Sequence, residues 1–209
     1  TGNDIITVDS GTDDIVDLGG SGGSESDVLV IASGATVTAD NLAGFTATSG
    51  TSNNSTNAGN ATLTAKADAA VTIDLSSASG STKGFTIVGG SGSGNDALTG
   101  SAGADIITGG AQVDTIIGGA EADTITGGAG DDIITGGTGN DIIIISTAGE
   151  ADSDSIDGEG DSDVLKLSTG GTDTFSDDDN LANIETIEAH NSGSTVVLTG
   201  QTEAFTITG

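Results

Sequence analysis

The chain lacks several residue types on which most globular proteins depend. It contains no cysteine, proline, tryptophan, tyrosine or methionine, and its only aromatic residues are four phenylalanines. Without cysteine no disulfide can constrain the fold, and a bound metal is the usual replacement in an extracellular protein. With so few aromatic residues, the core is expected to be thin and aliphatic, as in a solenoid.

Positive charge is nearly absent as well. Three lysines and no arginine stand against 32 acidic residues, which gives a formal net charge of −29. Such a chain repels phosphate, so nucleic acid and anionic membranes are poor partners. No apolar run approaches the ~20 residues of a membrane span, and we expect no membrane insertion. Bound counter-ions are needed before a chain of this charge becomes compact.

The side chains that usually perform catalysis are also missing. His190 is the only histidine, so no two-histidine zinc motif exists. No Gly-x-Ser-x-Gly turn has a plausible histidine partner. Acidic pairs such as Asp131 and Asp132 suit glycosidase chemistry, but they lie in glycine-rich turns and are expected to contact a bound cation or solvent. The sequence therefore predicts that this chain is not an enzyme.

Against these absences stands a repeat of nine residues. Its clearest copy runs from Gly127 to Thr135, and its rule is G-G-x-G-x-D-x-U-x, where U is a large aliphatic residue. The aspartate of the sixth position recurs without a slip at Asp96, Asp105, Asp114, Asp123, Asp132 and Asp141. The aliphatic residue follows each one at Leu98, Ile107, Ile116, Ile125, Ile134 and Ile143. A disordered Gly/Asp-rich linker has no reason to keep these aliphatic residues in step, although without bound cations disorder is the favoured state.

The repeat predicts a coil of two nonapeptides. The x-U-x residues fit a short strand with the middle side chain inward, and the other six residues fit a turn. Coils that stack about 4.8 Å apart place each aspartate against the one eighteen residues later. The predicted pairs are Asp96/Asp114, Asp105/Asp123, Asp114/Asp132 and Asp123/Asp141.

Calcium suits these turns because it prefers carboxylate and carbonyl oxygens at about 2.3–2.6 Å. The turn glycines Gly94, Gly103, Gly130 and Gly139 are further candidate ligands. Gln112 and Glu121 replace glycine at the fourth position of two repeats, and Glu121 is an alternative ligand. Asp154 and Asp163 are four residues out of register, so a bulge near Ser146–Glu150 would be needed to pair them with Asp132 and Asp141.

A larger repeat lies on top of the small one. Asp163–Leu167 resembles Asp27–Ile31, and Phe205–Gly209 resembles Phe85–Gly89. Asp4 and Asp13 belong to a partial nonapeptide block that starts in mid-repeat, so we expect a segment of a longer chain. The predicted divisions are a partial block (1–30), a β-rich segment (31–88) with a Ser/Asn/Gly surface loop (48–60), a calcium roll (89–167) and a second β-rich segment (168–209). Short β-branched runs in the β-rich segments fit either an irregular parallel β-helix that continues the roll or a β-sandwich.

The nonapeptides resemble the RTX (repeats-in-toxin) family of calcium-binding proteins. That resemblance implies an all-β, right-handed parallel β-roll, export by type I secretion, and an extracellular or bacterial cell-surface location. The β-rich segments are similar to those of RTX surface-layer proteins and adhesins. By the stacking rule we expect about four to six calcium ions in residues 91–167, and more if the first block is complete.

Two functions remain open from the sequence. One is a calcium-dependent structural subunit of a surface layer, filament or matrix, and the duplicated modules favour it. The other is a C-terminal folding and secretion domain of a secreted enzyme, toxin or adhesin. Expected partners are calcium, identical subunits or neighbouring modules, and cell-surface polysaccharide. Self-association is expected because isoleucines occupy outward strand positions at Ile106, Ile117, Ile133, Ile142 and Ile144.

Overall fold

The structure is a computed structural model. It describes residues 5–8, 11–15, 28–32, 35–54, 61–78, 83–146, 153–175, 180–190, 193–199 and 204–209. Within these ranges the chain forms strands and turns and no helix, so it contains no helix that could cross a membrane.

The described strands follow one another in short lengths along the chain. They are β1 (Ile5–Val8), β2 (Gly11–Ile15), β3 (Val28–Ile31), β4 (Ala35–Leu42), β5 (Phe45–Thr46), β6 (Ser52–Asn53), β7 (Ala61–Ala65), β8 (Thr72–Asp74), β9 (Thr86–Val88), β10 (Ala97–Thr99), β11 (Ile106–Ala111), β12 (Thr115–Ala120), β13 (Thr124–Ala129), β14 (Ile133–Thr138), β15 (Ile142–Ile145), β16 (Ser155–Gly160), β17 (Val164–Leu167), β18 (Thr172–Phe175), β19 (Leu181–Ala182), β20 (Thr186–Glu188), β21 (Thr195–Leu198) and β22 (Thr206–Thr208).

Two parallel sheets run along the molecule. The larger has the order β2-β4-β7-β9-β11-β13-β15-β17-β20-β22, and the smaller has the order β19-β16-β14-β12-β10-β8-β5. Successive strands of the chain alternate between these two sheets through the repeat region, which is the arrangement of a parallel β-roll. Other described strands of the flanking segments join the same two sheets, while β1, β3 and β6 form a third parallel sheet and β18 pairs in parallel with β21. The fold is an all-β solenoid. Of the two alternatives for the β-rich segments, the β-helix is confirmed and the sandwich is wrong.

The core is a double column of aliphatic side chains between the two sheets. In the larger sheet Ile107 pairs with Ile87 on one side and Ile125 on the other, and in the smaller sheet Ile116 lies between Leu98 and Ile134. These side chains are almost completely buried, and burying one stabilises the fold by about 1.5–3 kcal/mol. The residues on either side of them face outward, as the x-U-x pattern predicts.

The regular nonapeptides of residues 91–144 form what is here called the array, and four of its strands are longer than the three residues expected. β11 to β14 each continue through two glycines, and Gly110 pairs with Gly128 as Gly119 does with Gly137. A Cβ on Gly128 would overlap the carbonyl oxygen of Gly110 in the coil before it. The missing side chain therefore lets neighbouring coils pair through what the sequence predicts to be a turn.

The register also shows how the coils change length. Within the array the stacked partners are eighteen residues apart, but Ile133 pairs with Ser155 and Ile142 pairs with Val164. Both later steps span twenty-two residues, so four extra residues are absorbed as the sequence predicts. The expected bulge near Ser146–Glu150 falls mostly on residues outside those described.

The segment expected to be a surface loop at 48–60 differs from that prediction in its first half. Ser52 and Asn53 form β6, which pairs with β3, and Thr51 and Asn53 are buried. The Asn53 side chain donates a hydrogen bond to the carbonyl of Gly84, which compensates the burial of its amide. Residues 55–60 lie outside the described part of the chain.

Candidate metal centre

The aspartates of the repeat form two ladders, one along each edge of the roll. Each backbone N–H donates to Oδ1 of the aspartate in the following coil, as from Asp105 to Asp123 at 2.7 Å and from Asp123 to Asp141 at 2.8 Å. The same bond joins Asp96 to Asp114 at 2.7 Å and Asp114 to Asp132 at 2.8 Å. All four predicted stacking pairs are therefore in contact.

The two later pairs form in the same way. The Asp132 amide donates to Asp154 at 2.9 Å, and the Asp141 amide donates to Asp163 at 2.8 Å. The ladder thus passes through the change of coil length without losing its register. Asp154 and Asp163 are buried like the aspartates of the regular array, and the structure brings both into the predicted site.

The second oxygen of these carboxylates defines the chemistry of the site. Oδ2 of Asp114, Asp123, Asp141 and Asp163 is buried and has no hydrogen-bond partner. A buried carboxylate without a partner costs several kcal/mol unless a proton or a cation joins it. Hydrogen bonds therefore hold the ladder together, but the negative charge of these carboxylates is not balanced.

A carbonyl oxygen of the next coil lies close to the free oxygens of Asp123 and Asp141. A Cβ built on Gly118 would be 2.5 Å from Oδ2 of Asp123 and would also overlap the carbonyl oxygen of Gly136 in the next coil. A Cβ built on Gly136 would be 2.5 Å from Oδ2 of Asp141 and 2.9 Å from the carbonyl oxygen of Gly158. The space left by a missing side chain is thus lined by a carboxylate from one coil and a carbonyl from the next.

These donors fit calcium. All of them are hard oxygens, they come from two adjacent coils, and the free carboxylate oxygens supply the charge that a divalent cation would balance. Among the described residues, no group of three or more His, Cys, Asp or Glu side chains converges on one point. The acids act in pairs, and backbone carbonyls would provide the remaining ligands.

Burial and mutual repulsion change the acidity of the ladder. Desolvation, strengthened by the charges of Asp105, Asp141 and Glu121, raises the pKa of Asp123 from 3.8 to about 8. Burial also raises the pKa of Asp105, Asp114 and Asp163 to about 6, and that of Asp141 in the same direction. Since these side chains hold a proton more tightly than usual, protons and metal compete for the same oxygens.

The first aspartate of each ladder differs from the others. Oδ2 of Asp96 accepts the Gly90 amide at 2.6 Å, and Oδ2 of Asp105 accepts the Ser101 amide at 2.6 Å. Their Oδ1 atoms accept the amides of Val71 and Phe85, where no acid stands in the coil before. Both predicted metal residues lie in the ladder, but backbone donors already satisfy their carboxylates.

The fourth-position glycines predicted as ligands lie where adjacent coils are in close contact. A Cβ on Gly130 would overlap the carbonyl of Gln112, one on Gly139 that of Glu121, and one on Gly94 the backbone of Ala69. A Cβ on Gly103 would lie 3.0 Å from the backbone of Lys83 and Gly84. The carbonyls beside the carboxylates instead come from first-position glycines such as Gly136, which were not among the predicted ligands.

Gln112 and Glu121 occupy the fourth position with φ of +74° and +67°, whereas Gly130 and Gly139 have φ of +129° and +133°. The two non-glycine residues therefore adopt the left-handed helical conformation, which side chains tolerate at a modest cost. The repeat geometry survives both departures from the pattern, and the ladder passes through them unbroken.

The first nonapeptide block is less like the array. Asp13 lies in β2, and the register places it opposite Val37 of β4 rather than opposite an acid. Its side chain and the whole of Asp4 lie outside the described residues, so their predicted role in metal binding stays a prediction. His190 is exposed, as expected for a surface residue.

Comparison with known protein families identifies the repeat. A family description, the RTX calcium-binding nonapeptide repeat in four copies, matches residues 90–121, 111–143 and 148–175. These spans contain every aspartate of both ladders from Asp96 to Asp163. No curated protein and no solved structure matches the chain.

Proposed function

We propose, from the premise that residues 90–175 carry RTX calcium-binding nonapeptide repeats, that this chain is a calcium-dependent structural segment of a secreted bacterial surface protein. RTX repeats bind calcium and are typical of secreted, extracellular proteins. The finer proposal is that the chain belongs to a surface layer, filament or matrix subunit, and that calcium controls both its folding and its assembly.

The observation that carries the proposal is the set of buried carboxylate oxygens without partners, on Asp114, Asp123, Asp141 and Asp163. In the absence of a cation, each must be neutralised by a proton or must repel its neighbours in the adjacent coils. With calcium bound between coils, the same oxygens hold successive coils together. Folding and metal binding are then one equilibrium.

A structural role is supported by the continuity of the larger sheet. Strands of the partial block and of both β-rich segments extend it, from β2 at one end to β22 at the other. Calcium in the central coils would therefore fix the two flanking segments in one rigid body. No catalytic role is proposed, because the chain offers one histidine and no cysteine, and because the described buried acids other than Asp173 form the ladders.

Assembly is proposed through the outer faces of the two sheets. Ile106 and Ile133 are each 49% exposed and Ile117 is 40% exposed, whereas Ile142 and Ile144 are half-buried. Three exposed isoleucines on regular strands offer apolar area to a second copy or a neighbouring module. Because these faces exist only when the roll is folded, calcium would control association as well. Cell-surface polysaccharide is a further proposed partner.

The test is a calcium titration of the 209-residue chain, followed by far-ultraviolet circular dichroism and by light scattering. We expect β signal and higher-order particles to appear together as calcium is added. An unchanged spectrum in chelator and in calcium would contradict calcium-dependent folding. A calcium-loaded protein that stays monomeric at high concentration would contradict assembly and favour the folding and secretion domain of a larger secreted protein.

A further inference from the structure

One ladder of acids continues past the last nonapeptide. The Asp163 amide donates to Oε2 of Glu185 at 2.7 Å, just as the Asp141 amide donates to Asp163 at 2.8 Å. The register of β17 and β20 pairs Val164 with Thr186, which places Glu185 directly opposite Asp163. Glu185 thus takes the position of a repeat aspartate in a coil that has no nonapeptide, ten residues beyond the last matched repeat.

A backbone carbonyl in this coil also takes the place of one in the repeat array. The carbonyl of Asn183 lies against Gly158, in the place that the Gly136 carbonyl takes at Gly118 and the Gly158 carbonyl takes at Gly136. Asn183 has a φ of +51°, and its side-chain amide donates to Oδ1 of Asp157 at 2.7 Å. This hydrogen bond to the preceding coil holds the left-handed turn, so the carbonyl is fixed where a first-position glycine would otherwise present it.

This arrangement surrounds the carboxylate oxygen of Asp163 that has no hydrogen-bond partner. Oδ2 of Asp163 is buried without a hydrogen-bond partner, and it lies 2.5 Å from the position of a Cβ on Gly158. Asp163 itself is 1% exposed. Asp163 therefore presents an unpartnered, buried carboxylate oxygen toward the coil that contains Asn183 and Glu185.

We infer that a calcium ion binds between the coil of Gly158–Asp163 and the coil of Asn183–Glu185. Its ligands are Oδ2 of Asp163, the carbonyl of Asn183 and the carboxylate of Glu185. This inference rests on the proposed calcium dependence of the roll, but it adds a site that the nonapeptide pattern does not contain. The ion joins the repeat array to the β-rich segment that follows it, so calcium orders β20 and β22 as well as the repeats.

The site is more open than those inside the array. Glu185 is exposed, whereas the aspartate that closes each internal site is buried. Water competes better for an ion at an exposed ligand, so this site empties first as calcium falls. The C-terminal coils then lose their protection from hydrogen exchange while the central coils keep theirs.

The experiment compares Glu185→Gln, Glu185→Asp and the control Glu188→Gln in the full chain. Glutamine keeps an oxygen for the Asp163 amide but removes the charge, and aspartate restores the residue of the array. Glu188 lies three residues later and pairs with Lys166 at 3.0 Å, which makes it a matched change of charge outside the ladder. Bound calcium is counted by equilibrium dialysis, and amide hydrogen exchange is followed at half-saturating calcium.

We expect Glu185→Gln to bind one ion fewer than wild type and to exchange faster only in β20 and β22. Glu185→Asp and Glu188→Gln should match the wild-type count. If Glu185→Gln fails to fold, wild-type hydrogen exchange decides, because β20 and β22 that stay as protected as the central coils at half-saturating calcium overturn the site. An unchanged count in Glu185→Gln overturns the site. Absence of any bound calcium in wild type contradicts the proposed function instead.

Discussion

Replacing Asp123 with asparagine should have opposite effects on stability with and without calcium. The substitution Asp123→Asn removes the charge while keeping an oxygen that can accept the Asp105 amide. Asp123 is 1% exposed, and its neighbours in the ladder are Asp105 and Asp141. In chelator the substitution removes the repulsion from these neighbours and the cost of burying a charge. In calcium the same substitution removes a ligand of the ion.

The size of the first effect follows from the acidity of Asp123. Burial raises the pKa of Asp123 from 3.8 to about 8, so at neutral pH the calcium-free fold must take up a proton that the unfolded chain lacks. At pH 7 this uptake costs at most about 4 kcal/mol, at about 1.36 kcal/mol for each pKa unit between 3.8 and 7. The asparagine avoids that cost. We therefore expect the calcium-free variant to be more stable than wild type by up to about 4 kcal/mol.

The second effect has the opposite sign. With calcium, Oδ2 of Asp123 is replaced by an amide nitrogen that cannot bind a cation, and two adjacent coils lose a shared ligand. We expect the apparent calcium affinity to fall at least about tenfold, which corresponds to about 1.4 kcal/mol. The difference in stability between calcium and chelator should shrink accordingly.

The assay is urea unfolding followed by far-ultraviolet circular dichroism, because the chain has no tryptophan or tyrosine for fluorescence. The control is Asp131→Asn, which makes the same change at an exposed turn position and should leave both conditions nearly unaltered. If Asp123→Asn destabilised the chelated protein, or left the calcium affinity unchanged, the assignment of Asp123 as a buried and charged ligand would be wrong.

Three further predictions concern space, pH and assembly. Gly118→Ala should lower calcium affinity, because the added Cβ would overlap Oδ2 of Asp123, and calorimetry should show the calcium-loaded fold destabilised by about 1–3 kcal/mol. The control Gly160→Ala should be neutral, because nothing lies within 4 Å of its Cβ. The pKa values of the ladder aspartates are raised above the unfolded value of 3.8, so the stability of the calcium-free protein should be greatest near pH 4 and fall between pH 4 and 8. Calcium affinity should rise over the same range. A melting temperature of the protein in chelator that rises from pH 4 to 8 would contradict the pKa shifts. Ile117→Ser/Ile133→Ser should reduce light scattering in calcium without changing circular dichroism, and Thr115→Ser is its control; equal scattering would exclude that face from assembly.

Most of the fold could be predicted because the repeat is a local rule. The aliphatic residue two places after each aspartate fixes which side chains point inward, and the period of nine fixes which aspartates stack. Asp132 and Asp154 could be paired from sequence because four extra residues between repeats leave the register unchanged. The short β-branched runs of the β-rich segments correctly indicated strands there, such as β7.

The remainder depends on contacts between coils that no local pattern records. β6 could not be foreseen because Ser52 and Asn53 are polar, and the carbonyl of Gly84, which accepts a hydrogen bond from the buried Asn53 side chain, is 31 residues away in the sequence. The role of the first-position glycines follows from where the carboxylate of the same repeat and the carbonyl of the next coil meet. Glu185 was missed because it has no repeat around it, although an acid one place before Thr186-Ile187-Glu188 was the available signal.

The uninterrupted larger sheet has a mechanical consequence. Its parallel strands lie across the direction in which the coils stack, so a pull on the two ends of the stack loads the hydrogen bonds of one coil at a time. Each coil of eighteen residues that peels away releases about 60 Å of chain, at ~3.3–3.6 Å per residue. The molecule would lengthen in equal steps through the eighteen-residue coils and in longer steps where the coils have twenty-two residues, and the calcium concentration around it would set the force at which each step occurs.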